Sequence, residues 1–177
     1  MVAAEQRLEE YARLAVHVGV NLQPGQVLGI NALVEHEPLV RAAAREAYAT
    51  GASYVDVLYT DQHVRRAHIE HTSEEELGFS PPWLVKRLDD LAASGGALLS
   101  ITGNPEPELY ADLDGGRVAR SRMREVAEAS LRLSDGACNW SIVAFPNEGH
   151  PFWKDSPIFR KTKISMTALG ACPVVCR

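Results

Sequence analysis

Apolar residues recur at helical spacing near the start of the chain. Leu8, Tyr11, Ala12, Leu14, Ala15 and Val18 are separated by Glu and Arg, which predicts an amphipathic helix over 4–19 with Gly19 as its C-terminal cap. The period then shortens. Pro24-Gly25 makes a turn, and Val27-Leu28-Gly29-Ile30 forms an apolar run suited to a buried strand, ending in Asn31. Glu37-Pro38 reads as a helix start, because proline is tolerated in the first turn and an acid there suits the macrodipole; the pattern continues to Gly51. Further strands are predicted over 54–59, 97–102 and 139–145, rich in branched and aromatic residues. Between them come a polar helix over 62–71, a helix over 83–93 and a long amphipathic helix over 116–133. Ser73 to Glu76 adds a capping pattern, and 108–113 a helical turn. Strands alternating with crossover-length helices predict an α/β fold, a parallel sheet of about four or five strands with helices on both faces, as in three-layer Rossmann-like or flavodoxin-like domains.

Composition narrows the class. At 177 residues one domain is expected, any second being small. A formal net charge of −5 argues against a nucleic-acid binder, and no apolar run approaches a membrane span, so neither nucleic acid nor membrane is an expected partner. The N-terminus is acidic and amphipathic, unlike a signal peptide, and three cysteines suit a reducing cytoplasm, so the expected location is cytoplasmic. Charge is uneven along the chain. Through Glu148 there are 13 Lys and Arg against 22 Asp and Glu, a net −9; from Gly149 there are five against one, a net +4. Arginine gives way to lysine at the same place. Residues 1–148 are therefore expected to form the α/β domain, and 149–177 an irregular, weakly ordered tail.

In a parallel sheet the ends of the strands deliver their residues to one carboxyl edge, where ligands bind. Asn31, Glu35 and His36 follow the first strand, Thr60 and Asp61 the second, Thr102, Asn104 and Glu106 the third, and Asn147 and Glu148 the fourth. Thr60-Asp61 and Asn104-Pro105 are read first as the caps and turns that such residues form in any α/β protein. His63, His68 and His71 lack the spacing of a zinc motif and are read as a solvated helix face. Glycine-rich phosphate loops and a nucleophile elbow are missing, and Cys172 and Cys176 have no second pair.

Five collinear blocks carry a resemblance. The first is N-L-Q-P-G-Q-V-L-G-I-N-A-L-V-E-H at 21–36 with P-L-V-R-A-A-A-R-E-A-Y at 38–48; then come Y-V-D-V-L-Y-T-D-Q-H-V-R-R-A at 54–67 and S-P-P-W at 80–83. L-S-I-T-G-N-P-E-P-E at 99–108 and N-W-S-I-V-A-F-P-N-E-G at 139–149 complete the set. Together they resemble the thermophilic metallo-aminopeptidases of the aminopeptidase T and aminopeptidase S type. The resemblance implies an exopeptidase that acts on peptides with a divalent metal pair, zinc, cobalt or similar. It also implies that the Glu, His and Asp metal ligands lie in a C-terminal catalytic domain beyond the last block. The expectation is therefore an N-terminal domain without that catalytic domain, with no catalytic or metal residues, no cofactor of its own and no activity alone. Asn31, His36, Asp61 and Asn104 are the expected wall of the substrate cavity. Self-association or a homodimer through an exposed domain interface is the partner expectation, and the alternative is a small-ligand-binding or protein-docking domain without catalysis.

Overall fold

A computed structural model describes residues 2–136 and 138–145; the expectations for Asn147, Glu148, Cys172, Cys176 and the 149–177 tail lie outside these residues. Helix α1 (Val2–Leu14) runs into a wider turn, Ala15–Gly19, that closes its C-terminal end. The Pro24-Gly25 turn follows, with Gly25 at φ +84, a backbone conformation that glycine alone adopts without strain. Strand β1 (Val27–Leu33) comes next, then a single 3-10 turn, Val34–His36, and α2 (Glu37–Ala49). Strand β2 (Tyr54–Thr60), helices α3 (Gln62–His71) and α4 (Pro82–Ala93), and strand β3 (Ala97–Thr102) complete the middle of the chain. Helices α5 (Gly115–Arg120) and α6 (Arg124–Asp135) lead to strand β4 (Asn139–Ala144).

The four strands form one wholly parallel sheet in the order β2-β1-β3-β4. Alternation along β1 places Leu28, Ile30 and Ala32 in a core with Ala12 of α1, Val16 of the turn that follows it, and Leu39, Val40 and Ala43 of α2. The opposite face carries a second core, where Leu88 and Leu91 of α4 and Ala129 and Leu133 of α6 pack on Leu98 and Trp140. Helices thus cover both faces, as expected from the strand–helix alternation.

Two boundaries differ from the sequence reading. Strand β1 does not stop at Ile30, because its pairing with β2 continues to Leu33 opposite Thr60. Asn31 is therefore a mid-strand residue facing α4, rather than the first residue of a loop. The helix expected over 116–133 is two helices. Ser121, almost fully buried, donates its hydroxyl to the carbonyl of Val118 (2.8 Å), and the main chain at Gly78 packs against the carbonyls of Arg120 and Arg122. A serine hydroxyl that takes a backbone carbonyl competes with helix continuation. Arg117 also fastens α5 sideways, donating to the carbonyls of Ile69 (2.8 and 2.9 Å) and Thr72 (2.6 Å).

Candidate functional site at the carboxyl edge of the sheet

Strand order reverses between β1 and β3. In open α/β sheets that switch point opens a crevice at the carboxyl ends of the strands. Here it is filled by His36. The 3-10 turn after β1 swings the imidazole back over its own strand, so that Nδ1 accepts the backbone N–H of Leu33 (3.2 Å). Nε2 lies 2.8 Å from the carbonyl oxygen of Gly103, just past β3. A carbonyl can only accept, so the proton sits on Nε2 and one tautomer is selected. The ring is 0% exposed and stands 5.4 Å from the ring of Phe145, tilted by 51°. Gly103 meets it at φ +128, in the region that favours glycine. The side chain called on as a cavity wall therefore staples β1 to β3 from inside.

A second tie lies beside it. Asn104 Oδ1 accepts from Gln62 Nε2 (2.8 Å) and from the backbone N–H of Glu106 (2.8 Å), while Tyr110 donates its hydroxyl to the Gln62 carbonyl (3.1 Å). Asp61 caps α3, accepting from the N–H groups of His63 (2.8 Å) and Val64 (3.2 Å). This is the Asx geometry that frees the first helical amides from being unsatisfied. Asn31 stands apart from these three. Its Oδ1 accepts from Arg87 Nη1 (2.9 Å), and Arg87 Nε donates to Asp56 Oδ2 (2.5 Å), a network between α4 and the middle of the sheet. The structure brings His36, Asp61 and Asn104 to one edge and leaves Asn31 below it.

Outside these ties is a layer that meets solvent. His63 Nε2 and Glu106 Oε1 are 2.9 Å apart with both side chains more than half exposed, and Glu35 is exposed nearby in the chain, after β1. Arg66 grips Asp112 through two parallel bonds of 2.6 Å and also donates to the Leu109 carbonyl. That grip holds the Asp112 carboxyl down at about 2, chiefly through the hydrogen bonds from Arg66, and raises the Arg66 guanidinium above its ordinary value. It also pins the long 103–114 loop to α3, which fixes Asn104 and Glu106 in place. Gln62, Gly103 and Tyr110 were not singled out as site residues by the sequence. A glycine between a strand and Asn-Pro hints at a left-handed turn, but nothing in the chain marks Gln62.

Chemically, the edge offers acceptors and one imidazole–carboxylate pair. Among the described residues no three His, Cys, Asp or Glu are grouped so as to hold a metal ion. His68 is committed elsewhere, to Thr72 (2.9 Å) and the Leu77 carbonyl (3.1 Å), and His71 lies beside Glu70 at the far end of α3. An open hollow of about 600 Å³ lined by Ser80, Val85, Lys86, Asp89 and Glu125 lies on the α4–α6 side, away from the edge. No helix among the described residues is long and apolar enough to cross a membrane.

Comparison with known proteins bears on this geometry. The family model described as Thermophilic metalloprotease (M29) matches residues 4–151. Aminopeptidase 2 of Geobacillus stearothermophilus is 38% identical over 154 residues, which cover 84% of this chain and 36% of that protein. Aminopeptidase T of Thermus thermophilus is 33% identical over 156 residues, 86% of this chain and 37% of the other. The solved structure of wild-type AmpT from Thermus thermophilus superposes with a TM-score of 0.75 at 33% identity, covering 81% of this chain and 37% of that one. The chain thus spans little more than a third of the length of the relatives it matches.

Proposed function

This chain belongs to the thermophilic metalloprotease family, and from that premise we propose that residues 1–148 act as the N-terminal α/β part of a metal-dependent aminopeptidase, walling the cavity in which peptides are held. The observation that carries the reading is the continuous match over residues 4–151 together with the 0.75 TM-score. In this reading His36, Asp61 and Asn104 shape the carboxyl edge from within, and Asn31 acts through Arg87 on the position of α4. The side chains that meet substrate are the outward ones, Glu35, His63 and Glu106.

The described residues do not form a donor set for the divalent metal pair that the family implies, zinc, cobalt or similar. We therefore assign no hydrolytic step to the described residues; in this reading the metal ligands belong to the part of the relatives' length that this chain does not match. The 177-residue chain on its own is then expected to release no N-terminal residues from peptides. Chelator-sensitive hydrolysis of an aminoacyl chromogenic substrate, absent from a mock purification, would overturn this. A cytoplasmic location belongs to the same proposal and is supported by the cysteine usage.

The reading of a small-ligand binder is weakened by His36, which fills the switch-point crevice that such ligands use. A protein-docking role has one specific observation in its favour. Phe79 and Trp83, 49% and 67% exposed, meet edge-on at 6.5 Å before and at the start of α4. Exposed aromatic pairs are costly in isolation and frequent in interfaces. Self-association in sedimentation runs that Trp83→Ala abolishes would support this second reading; monomeric behaviour of both proteins would count against it.

A further inference from the structure

Among the described residues, strand β2 is an outer strand of the sheet and pairs with β1 alone. Edge strands commonly carry an outward charge or proline that discourages further pairing. This one reads Tyr-Val-Asp-Val-Leu-Tyr-Thr, with no lysine or proline, and its single charge is turned inward onto Arg87. One outward amide is already capped: the N–H of Val55 donates to the hydroxyl of Tyr48 (3.2 Å). That bond also sets the phase. Backbone groups alternate sides along a strand, so if Val55 points away from β1, Val57 and Tyr59 do too. Among the described residues nothing meets those two positions. Tyr54 and Tyr59 of this strand are 58% and 39% exposed.

We propose that the outer edge of β2 is an exosite that takes an extended peptide as a fifth strand, antiparallel to β2, with the peptide's amino end at the carboxyl edge of the sheet. This deepens the peptidase reading above and rests on it. Strand addition of this kind draws affinity from main-chain hydrogen bonds and specificity from alternate side chains. In the antiparallel sense the residues opposite Val57 and Tyr59 each exchange two hydrogen bonds with β2. At the carboxyl edge, exposed Glu35 follows β1 and exposed Glu106 follows β3, and their negative charges suit a free amino terminus brought to that edge. A second copy of this chain is the poorer occupant. Each copy carries a net −9 through Glu148, so two copies brought together along this edge repel one another. The peptides favoured are extended ones with β-branched or aromatic residues at alternating positions.

The test is amide hydrogen exchange read by NMR on the 177-residue chain, with an N-acetylated valine- and threonine-rich peptide as probe. Acetylation makes the reading independent of hydrolysis. The amides of Val57 and Tyr59 should gain protection, while that of Leu58, already turned to β1, should not. A peptide with alternate amides N-methylated should leave exchange unchanged. Val57→Pro, tolerable because this N–H faces away from the sheet, should weaken binding roughly tenfold or more by removing one donor and its neighbour's fit. The free-amine form of the probe should bind more tightly than the acetylated one. Absence of protection at Val57 and Tyr59 overturns the proposal, as does protection that grows with protein concentration and needs no peptide. Failure of the peptidase reading shows up separately, in a chain that binds the probe but cannot support hydrolysis in any full-length context.

Discussion

Replacing His36 with phenylalanine removes the staple across the switch point while keeping a ring against Phe145. The imidazole is 0% exposed and makes two bonds, from the Leu33 N–H at 3.2 Å and to the Gly103 carbonyl at 2.8 Å. Phenylalanine can make neither. Losing one hydrogen bond whose backbone partner stays buried costs about 1–3 kcal/mol, so two such losses, softened by the retained ring contact, amount to about 2–4 kcal/mol. For a domain of this size that lowers Tm by roughly 5–12 °C. Urea unfolding followed by far-UV circular dichroism gives the free energy, and an unchanged m-value would show that the denatured state is the same. Exchange of the Leu33 amide reports the local effect. Glu35→Gln, one residue away but exposed, serves as a control and should stay within about 0.5 kcal/mol of the parent. A His36→Phe protein as stable as the parent, with the Leu33 amide equally protected, would refute the reasoning that His36 holds the carboxyl edge together.

Three further outcomes follow from contacts elsewhere. Arg87→Met leaves Asn31 Oδ1 and the Asp56 carboxylate without their donor; because Asp56 is 38% exposed and can rehydrate, the loss is about 2–3 kcal/mol rather than the full value for a buried pair, and a double-mutant cycle with Asp56→Asn should show coupling. Gly29→Ala brings a methyl to 2.7 Å from Leu91 Cδ2 between β1 and α4, an overpacking of about 1–3 kcal/mol, and Leu91→Ala in the same chain should relieve part of it. Asp112 is held down to about 2 from 3.8, so its contribution is present above the unfolded value and is lost as pH falls through the folded one. Stability curves of the parent and Asp112→Asn, separate at neutral pH, should therefore converge between pH values of about 4 and 2.

Much of the architecture was legible because the hydrophobic period changes cleanly between elements. The alternation of strands and helices gave a parallel sheet covered on both faces, and the 62–71 and 97–102 boundaries match α3 and β3. What failed to show was anything decided by contacts distant in sequence. Strand β1 runs to Leu33 because β2 pairs with it there, a fact that no local pattern around Asn31 contains. The break at Ser121 lies against the main chain at Gly78, more than forty residues earlier, a neighbour that no local pattern announces. At the edge, Asp61 and Asn104 carry visible turn chemistry, and their capping bonds are those that this chemistry makes. The burial of His36 was not visible, since a Glu-His pair between a strand and a helix start reads as solvent-facing until the 3-10 turn folds the imidazole inward. Gln62 gave no signal, because its role depends on Asn104 and Tyr110 arriving from the 103–114 loop.

The central claim is that this α/β unit is the N-terminal part of a working aminopeptidase. It is tested most directly by replacing the matching segment of aminopeptidase T from Thermus thermophilus with residues 4–151 of this chain and measuring release of N-terminal residues from peptides, alongside metal content and cooperative unfolding. The account predicts a chimera that releases them in a chelator-sensitive way. A chimera that folds cooperatively and holds as much metal as its parent, yet releases nothing, would contradict it.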